Sequence, residues 1–376
     1  MNAERLRKPR IEIIAAASVL PAPQPVLQPP LNGMGGEGCP VYTCADSVGA
    51  GIIAPAELRR IGRSQKMGLT AVRSALARRP SGAVDPNAAI CVGTALGTLA
   101  ETAAFLENMV ERDESEPRPA RFINSVHNAI ASRIGVSLGC RGENHTFTHQ
   151  AISFELALWH AIHLLRTGRA REAIVCGADE WSPYVNAVGR ARGWWRTNAQ
   201  PLTPLRGDAQ SGTLPGEGAG ALILRKTEEA TTGALLLNAL CMESLTTREV
   251  VWSDAKREVQ FIRHALARAN MDLSEVEMLL VGANGDARND AAHAAVSTAI
   301  SAEAGREVMC GTFKQLCGEF CTASAVGLVT AVEILRGQKL AGEIITSHSP
   351  MPGPPRSILL YNWHETGYHS ACLVTV

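Results

Sequence analysis

The sequence predicts an α/β fold with buried sheets, and three observations carry that expectation. Short apolar runs alternate with longer stretches of helical period in both halves of the chain. Several runs close on glycine, as buried strands do where they meet a turn. Hydrophobic residues make up 46% of the 376 residues and aromatic residues only 5%, which suits close-packed layers of small side chains.

The elements follow in order. Residues 11–20, Ile-Glu-Ile-Ile-Ala-Ala-Ala-Ser-Val-Leu, read as a buried first strand, and the proline- and glycine-rich stretch 21–38 reads as a loop. A helix is expected over 59–77, with Ile61, Met67, Leu69, Val72 and Leu76 at apolar positions. A strand over 88–94 and a helix over 99–110 come next. The alternation is clearest at the helix 153–166, the turn Thr167-Gly168 and the strand 172–177. Strand 276–281 leads into a helix over 290–304, a second helix spans 321–335, and residues 370–376 form the last strand. The charged, then threonine-rich stretch 225–232 marks the expected junction between domains 1–228 and 229–376.

Charge and cysteine usage narrow the function classes. Lysine plus arginine and aspartate plus glutamate both number 36, so no net field favours nucleic acid or an anionic membrane. No apolar run is long enough to span a bilayer. The basic residues between 5 and 10 ahead of the first apolar run loosely resemble a signal peptide, but Glu12 interrupts that run, and the strand reading is preferred. Ten cysteines are scattered without paired spacing. Cys317 and Cys321 sit four apart, but nothing nearby completes a metal set. No metal or cofactor is expected, and free thiols in this number suit a reducing cytoplasm.

Several segments carry chemical information. They are Arg59 through Met67, Ile90 through Gly97 with Val92-Gly93-Thr94, Gly142 through Ala151, Cys176-Gly177-Ala178-Asp179, Gly216-Glu217-Gly218-Ala219-Gly220, Gly282 through Asp286, and Lys314 through Glu319. In this order they resemble the motifs of the β-ketoacyl synthases. The resemblance spans most of the chain, and it implies a thiolase-like fold of two similar halves layered α/β/α/β/α. The Gly216–Gly220 segment matches as it stands.

The resemblance places the family's reactive groups at positions where this chain lacks them. The nucleophilic cysteine, whose thiolate a helix N-terminus favours, falls on Ala151, with His149 and Gln150 beside it. The first catalytic histidine falls on Asn284, whose amide can donate a hydrogen bond but cannot shuttle a proton. The second falls on Glu319. An ionised carboxylate there would repel a malonyl carboxylate about 4 Å away by about 4 kcal/mol at an effective dielectric near 20. Lys314 survives and could neutralise Glu319. A glutamate of the family is His293 here, and the glycine-rich phenylalanine loop becomes Tyr361-Asn362-Trp363-His364-Glu365-Thr366-Gly367.

These losses resemble the chain length factor of type II polyketide synthases, a subunit without the cysteine that pairs with an active ketosynthase and shares its tunnel. Phe122 through Ala129 resembles the ketosynthase-like subunits of aryl polyene clusters. The implied partners are a ketosynthase and an acyl carrier protein, with no catalysis by this chain alone. Two alternatives stand beside this one. An acyltransferase could use Ser153, Cys176 or Cys317 with a histidine such as His149, although a cap for Ser153 and core packing for the thiols are the plainer readings. A homo-oligomer that binds carrier protein or lipid is the other. Trp194-Trp195 among Arg190, Arg192 and Arg196 is either a partner contact or a packed pair.

Overall fold

The computed structural model describes residues 9–29, 38–79, 82–115, 118–207, 210–228, 231–244, 254–337, 344–346, 353–364 and 366–376. Residues 5–8 of the basic stretch, most of the glycine-rich loop before Gly38, residues 229 and 230 of the expected junction, and Glu365 lie outside them.

The chain begins with strand β1 (Arg10–Val19), followed by the short antiparallel pair β2 (Val26–Gln28) and β3 (Cys39–Val41). Helices α1 (Pro55–Leu58) and α2 (Arg63–Ala77) lead to β4 (Ala89–Gly93). Then come α3 (Leu99–Glu111), α4 (Pro119–Ser125), α5 (Ala129–Leu138) and β5 (Asn144–Phe147). Helix α6 (Ser153–Arg166), β6 (Glu172–Asp179), α7 (Pro183–Ala191) and β7 (Gly218–Thr227) follow. The second set is β8 (Leu236–Ser244), α8 (Ala255–Ala267), β9 (Met278–Val281), α9 (Ala287–Ala304), β10 (Met309–Thr312), α10 (Ala323–Leu335), β11 (Ser357–His364) and β12 (Tyr368–Thr375).

Ten strands form one ladder in the order β10-β9-β11-β12-β8-β1-β7-β6-β4-β5. Read outward from its middle, the ladder repeats itself. β1-β7-β6-β4-β5 on one side and β8-β12-β11-β9-β10 on the other place their first, fifth, fourth, second and third strands in the same sequence. The parallel pairs, β6 with β4 and β4 with β5, are matched by β11 with β9 and β9 with β10. In the ladder the halves meet where β1 pairs antiparallel with β8, Ile11 with Leu237 and Glu12 with Leu236.

The sheet folds over at that joint, because α10 touches β1, β6 and β7 on one side and β11 and β12 on the other. Helices α6 and α10 thus form a central layer. α2 and α5 cover the outer face of the first half, and α8 and α9 that of the second. This is an α/β fold with layers α/β/α/β/α. Helix α10 is buried at every residue but Glu333, as a helix enclosed on both sides must be. Gly220 permits its approach to β7, since a Cβ there would lie 2.5 Å from the carbonyl oxygen of Ala325.

The first apolar run is thus a central strand. The helix expected from 59 begins instead at Arg63, where the Gln65 side chain accepts from the Gly62 amide at 2.7 Å. The helix expected over 321–335 starts at Ala323, that expected over 290–304 at Ala287, and the last strand at Tyr368.

Candidate functional site

The carboxyl ends of the parallel strands are where ligands bind in α/β sheets, and here the two halves bring those ends together. Asp179, at the end of β6, accepts from Thr94 Oγ1 and the Ala95 amide at 2.8 Å each. Its other oxygen accepts from the Thr322 hydroxyl at 2.8 Å and the Thr322 amide at 3.1 Å, one residue before α10. One buried carboxylate therefore ties β4 and β6 of the first half to the central helix of the second. Glu180 accepts from the Ser64 amide at 3.0 Å and the Ala100 amide at 2.9 Å, in the first turns of α2 and α3. Burial lifts its carboxyl to about 6, against those two bonds.

Ala151 lies in the turn between β5 and α6, in a single helical turn spanning Gln150–Ile152. Its methyl group is buried, while His149 and Gln150 beside it are exposed. Gln150 takes a φ of +47°, a left-handed conformation that strains a non-glycine residue. The sharp strand-to-helix elbow is kept although the side chain at its apex offers nothing reactive. Ser153 serves that elbow. Its hydroxyl donates to the Gln150 carbonyl at 2.7 Å and accepts from the His149 amide at 2.8 Å. The His149 ring packs edge-on to Tyr368, 5.2 Å between centroids, and it is the backbone amide of His149 that bonds to the Ser153 hydroxyl.

Asn284, Glu319 and Lys314 form one buried cluster. Glu319 Oε2 accepts from Asn284 Nδ2 at 2.7 Å and from Lys314 Nζ at 2.6 Å. Asn284 Oδ1 accepts from the Asp286 amide at 3.1 Å, and its carbonyl accepts from Thr213 Oγ1 at 2.6 Å. Burial pushes the Glu319 carboxyl up. The Lys314 ammonium, His364 and the two hydrogen bonds outweigh it and hold the group below the usual carboxylate range.

The Gly216–Gly220 segment reaches this cluster through its backbone. The Gly216 amide donates to the Glu319 carbonyl at 3.0 Å, and a Cβ at Gly216 would lie 1.9 Å from the Cys317 carbonyl oxygen. Glu217 accepts from the Cys44 amide at 2.7 Å and the Trp181 amide at 3.2 Å, and it pairs with Arg63 at the start of α2. The motif glycines and glutamate therefore hold loops in place.

The tip of the β11–β12 hairpin joins Ala151's turn to the cluster. His364 and Tyr368 are cross-strand partners; Tyr368 meets His149, and His364 feels the charges of Glu319 and Lys314. Of the segment 361–367, residues 361–364 close strand β11 and Thr366 and Gly367 lie in a turn before β12. Burial holds His364 at about 4, and its Nδ1 accepts from the Thr366 amide at 3.2 Å. Sequence reasoning gave His364 no role, since only the strand pairing brings it here. His293 is buried on α9 with its Nδ1 2.9 Å from the Asn289 carbonyl, and burial holds it neutral, at about 3.

The alternative nucleophiles are ill-placed. Burial pushes Cys176 to about 12 and Cys317 higher still, so both are neutral thiols. No cysteine forms a disulfide among the described residues. Trp195 packs on Gly189 of α7, where a Cβ would meet its Nε1, and Arg192 lies 5.5 Å over the Trp194 ring. Trp195 thus takes the packed reading, while Trp194 stays half-buried beneath Arg192. No helix among the described residues is long and apolar enough to cross a membrane.

Comparison with known proteins adds three findings. Residues 47–230 match the model described as "Beta-ketoacyl synthase, N-terminal domain". A 3-oxoacyl-[acyl-carrier-protein] synthase I of the chloroplast of Arabidopsis thaliana is 24% identical over 148 residues, 38% of this chain and 31% of that protein. The alignment thus spans less than a third of that relative's own length. Two solved structures share the fold over nearly the whole chain. The ishigamide ketosynthase/chain length factor superposes with a TM-score of 0.79 at 18% identity, over 98% of this chain and 99% of that one. A ketosynthase in complex with its chain length factor from Xenorhabdus doucetiae gives 0.76 at 16% identity, over all of both chains.

Proposed function

Through residues 47–230 the chain belongs to the β-ketoacyl synthase family, and from that membership and the state of the site we infer that it is a non-catalytic chain length factor. In this reading it pairs with an active ketosynthase of a type II polyketide or aryl polyene synthase and shapes the tunnel in which the chain grows. Residues 1–228 and 229–376 are its two halves, an acyl carrier protein is the further partner, and the cytoplasm is the compartment.

The observation that carries the reading is the closed cluster of Asn284, Glu319 and Lys314. Condensation needs a nucleophile, an oxyanion donor and a group that accepts the malonyl carboxylate. Ala151 supplies no nucleophile. Asn284 gives one of its two amide hydrogens to Glu319, which fixes the side chain on the carboxylate, and an amide cannot shuttle a proton. Glu319 puts a carboxylate where a negative substrate would have to enter, and Lys314 is occupied in neutralising it. Asn284 and Lys314 both bind the same oxygen of Glu319, so all three residues are tied to one another.

A partner surface supports the pairing. β5 is the outer strand of the first half, and its far edge has no partner among the described strands. On α3 and α4, Leu106, Val110, Phe122 and Ile123 are exposed apolar side chains, with Val110 78% and Ile123 67% accessible. The relatives in the two solved structures pair a ketosynthase with a chain length factor, as their descriptions state.

The test is to incubate the isolated chain with an acyl-carrier thioester and weigh it intact. The reading expects no covalent acyl adduct. An adduct on Ser153 or on any cysteine would replace it with an acyltransferase.

A further inference from the structure

Away from the cluster, one face of β5 carries a second group of ligating side chains. Glu143 and His145 stand two residues apart along the chain entering β5, so they project to the same side. That side faces α6, where His160 sits on the second turn. One atom from each of the three side chains, a carboxylate oxygen and two imidazole nitrogens, lies within 4.8 Å of the other two. His145 Nε2 is 2.9 Å from Glu143 Oε2, and the two imidazole rings meet edge to face with centroids 4.4 Å apart.

Two further observations fit a ligand at this point. His160 Nε2 is shielded from solvent and has no hydrogen-bond partner among the described residues. A buried ring nitrogen without a partner loses its hydration for nothing in return unless something binds it. The second oxygen of Glu143 is held 2.9 Å from Arg169 Nε, the outer contact that orients a ligating carboxylate.

We propose that Glu143, His145 and His160 form a binding site for one zinc-class divalent ion that clips the edge strand β5 to α6. Two imidazoles and one carboxylate are the donor set of zinc, not of magnesium or calcium, which take oxygen. Three protein ligands leave a fourth position for water or a partner side chain. Tetrahedral bonds of about 2.0–2.1 Å put ligand atoms roughly 3.3 Å apart, so the Glu143–His145 pair opens slightly from 2.9 Å to admit the ion. The ion braces the two elements that flank the elbow holding Ala151. Cysteine spacing, the only metal signal weighed in the sequence, does not reveal the site, because its ligands come from a strand without apolar alternation and from the helix beyond.

The experiment uses the untagged full chain, stripped with a chelator and titrated with zinc against a chromogenic competitor. One ion per chain is expected, with a rise in Tm on binding. His145→Ala and His160→Ala each lose the ion and the rise, and His163→Ala, one turn further along α6, keeps both. X-ray absorption of the zinc-loaded wild type should show nitrogen and oxygen neighbours only, a readout that does not depend on the variants folding. Sulfur neighbours, unchanged stoichiometry in both histidine variants, or no bound ion would each overturn the proposal.

Discussion

Lys314 Nζ lies 2.6 Å from Glu319 Oε2, and the two side chains are 1% and 7% exposed. An ion pair this deep is stabilising only while both members are present, because either charge alone would be stranded in a low-dielectric interior. Lys314→Met is therefore expected to lower the unfolding free energy by about 3–5 kcal/mol. Lys314→Met combined with Glu319→Leu should recover most of that loss. Urea denaturation of the two variants, compared at pH 7, reads the difference.

Acid stability should follow His293. The folded chain holds its ring at about 3, while the unfolded chain releases it to about 6.5. Below about 6.5 the unfolded state binds a proton that the folded state refuses. The contribution is therefore full above that value and is lost as pH falls towards the folded one. The loss at pH 5 amounts to about 2 kcal/mol. Glu319, held below the ordinary carboxylate range, adds its own loss only at more acidic pH. Unfolding free energies from urea denaturation should fall between pH 7 and pH 5 by about 2 kcal/mol more in the wild type than in His293→Gln.

Restoring sulfur should not restore chemistry. Ala151→Cys places a thiol on the kept elbow, but Asn284 and Glu319 still lack the proton transfer and charge tolerance that condensation needs. The variant is expected to leave malonyl-carrier protein unconsumed in a mass-spectrometric assay with acyl-carrier donor. Formation of a β-ketoacyl product would contradict the assigned roles of the other two positions.

The exposed apolar face should be where the ketosynthase binds. Phe122→Asp with Ile123→Asp puts two charges on a surface that is already in water in the isolated chain, 55% and 67% accessible. The monomer's thermal unfolding is expected to change little. Co-purification with the ketosynthase should fall by tenfold or more, since burying even one unpaired charge costs several kcal/mol.

Which of these features the sequence disclosed depends on how local each one is. Helix α6 was readable from Ser153 to Arg166 because it is bounded by a serine and a Thr-Gly turn. α10 was readable because small and apolar residues such as Val326, Leu328, Val329 and Val332 dominate it. β5 was not, since Asn-His-Thr-Phe shows no apolar alternation, and as an edge strand it needs none. β7 hides behind its glycines, which serve the approach of α10. The neutralisation of Glu319 by Lys314 was legible because the two lie five residues apart. The bond from Asn284 to Glu319 spans 35 residues and exists only because β9 and β10 lie side by side. Gly216 shows the same limit: its motif was visible, but the Cys317 carbonyl that forbids a side chain there was not.

The central claim is that this chain acts through a partner's chemistry. The most direct measurement is the product-length distribution of a reconstituted synthase, made with an active ketosynthase and its acyl carrier protein, with and without this chain. The account predicts that the chain forms a one-to-one complex with the ketosynthase and that omitting it abolishes or shortens the product. A stable homodimer, together with the same product lengths in its absence, would contradict it.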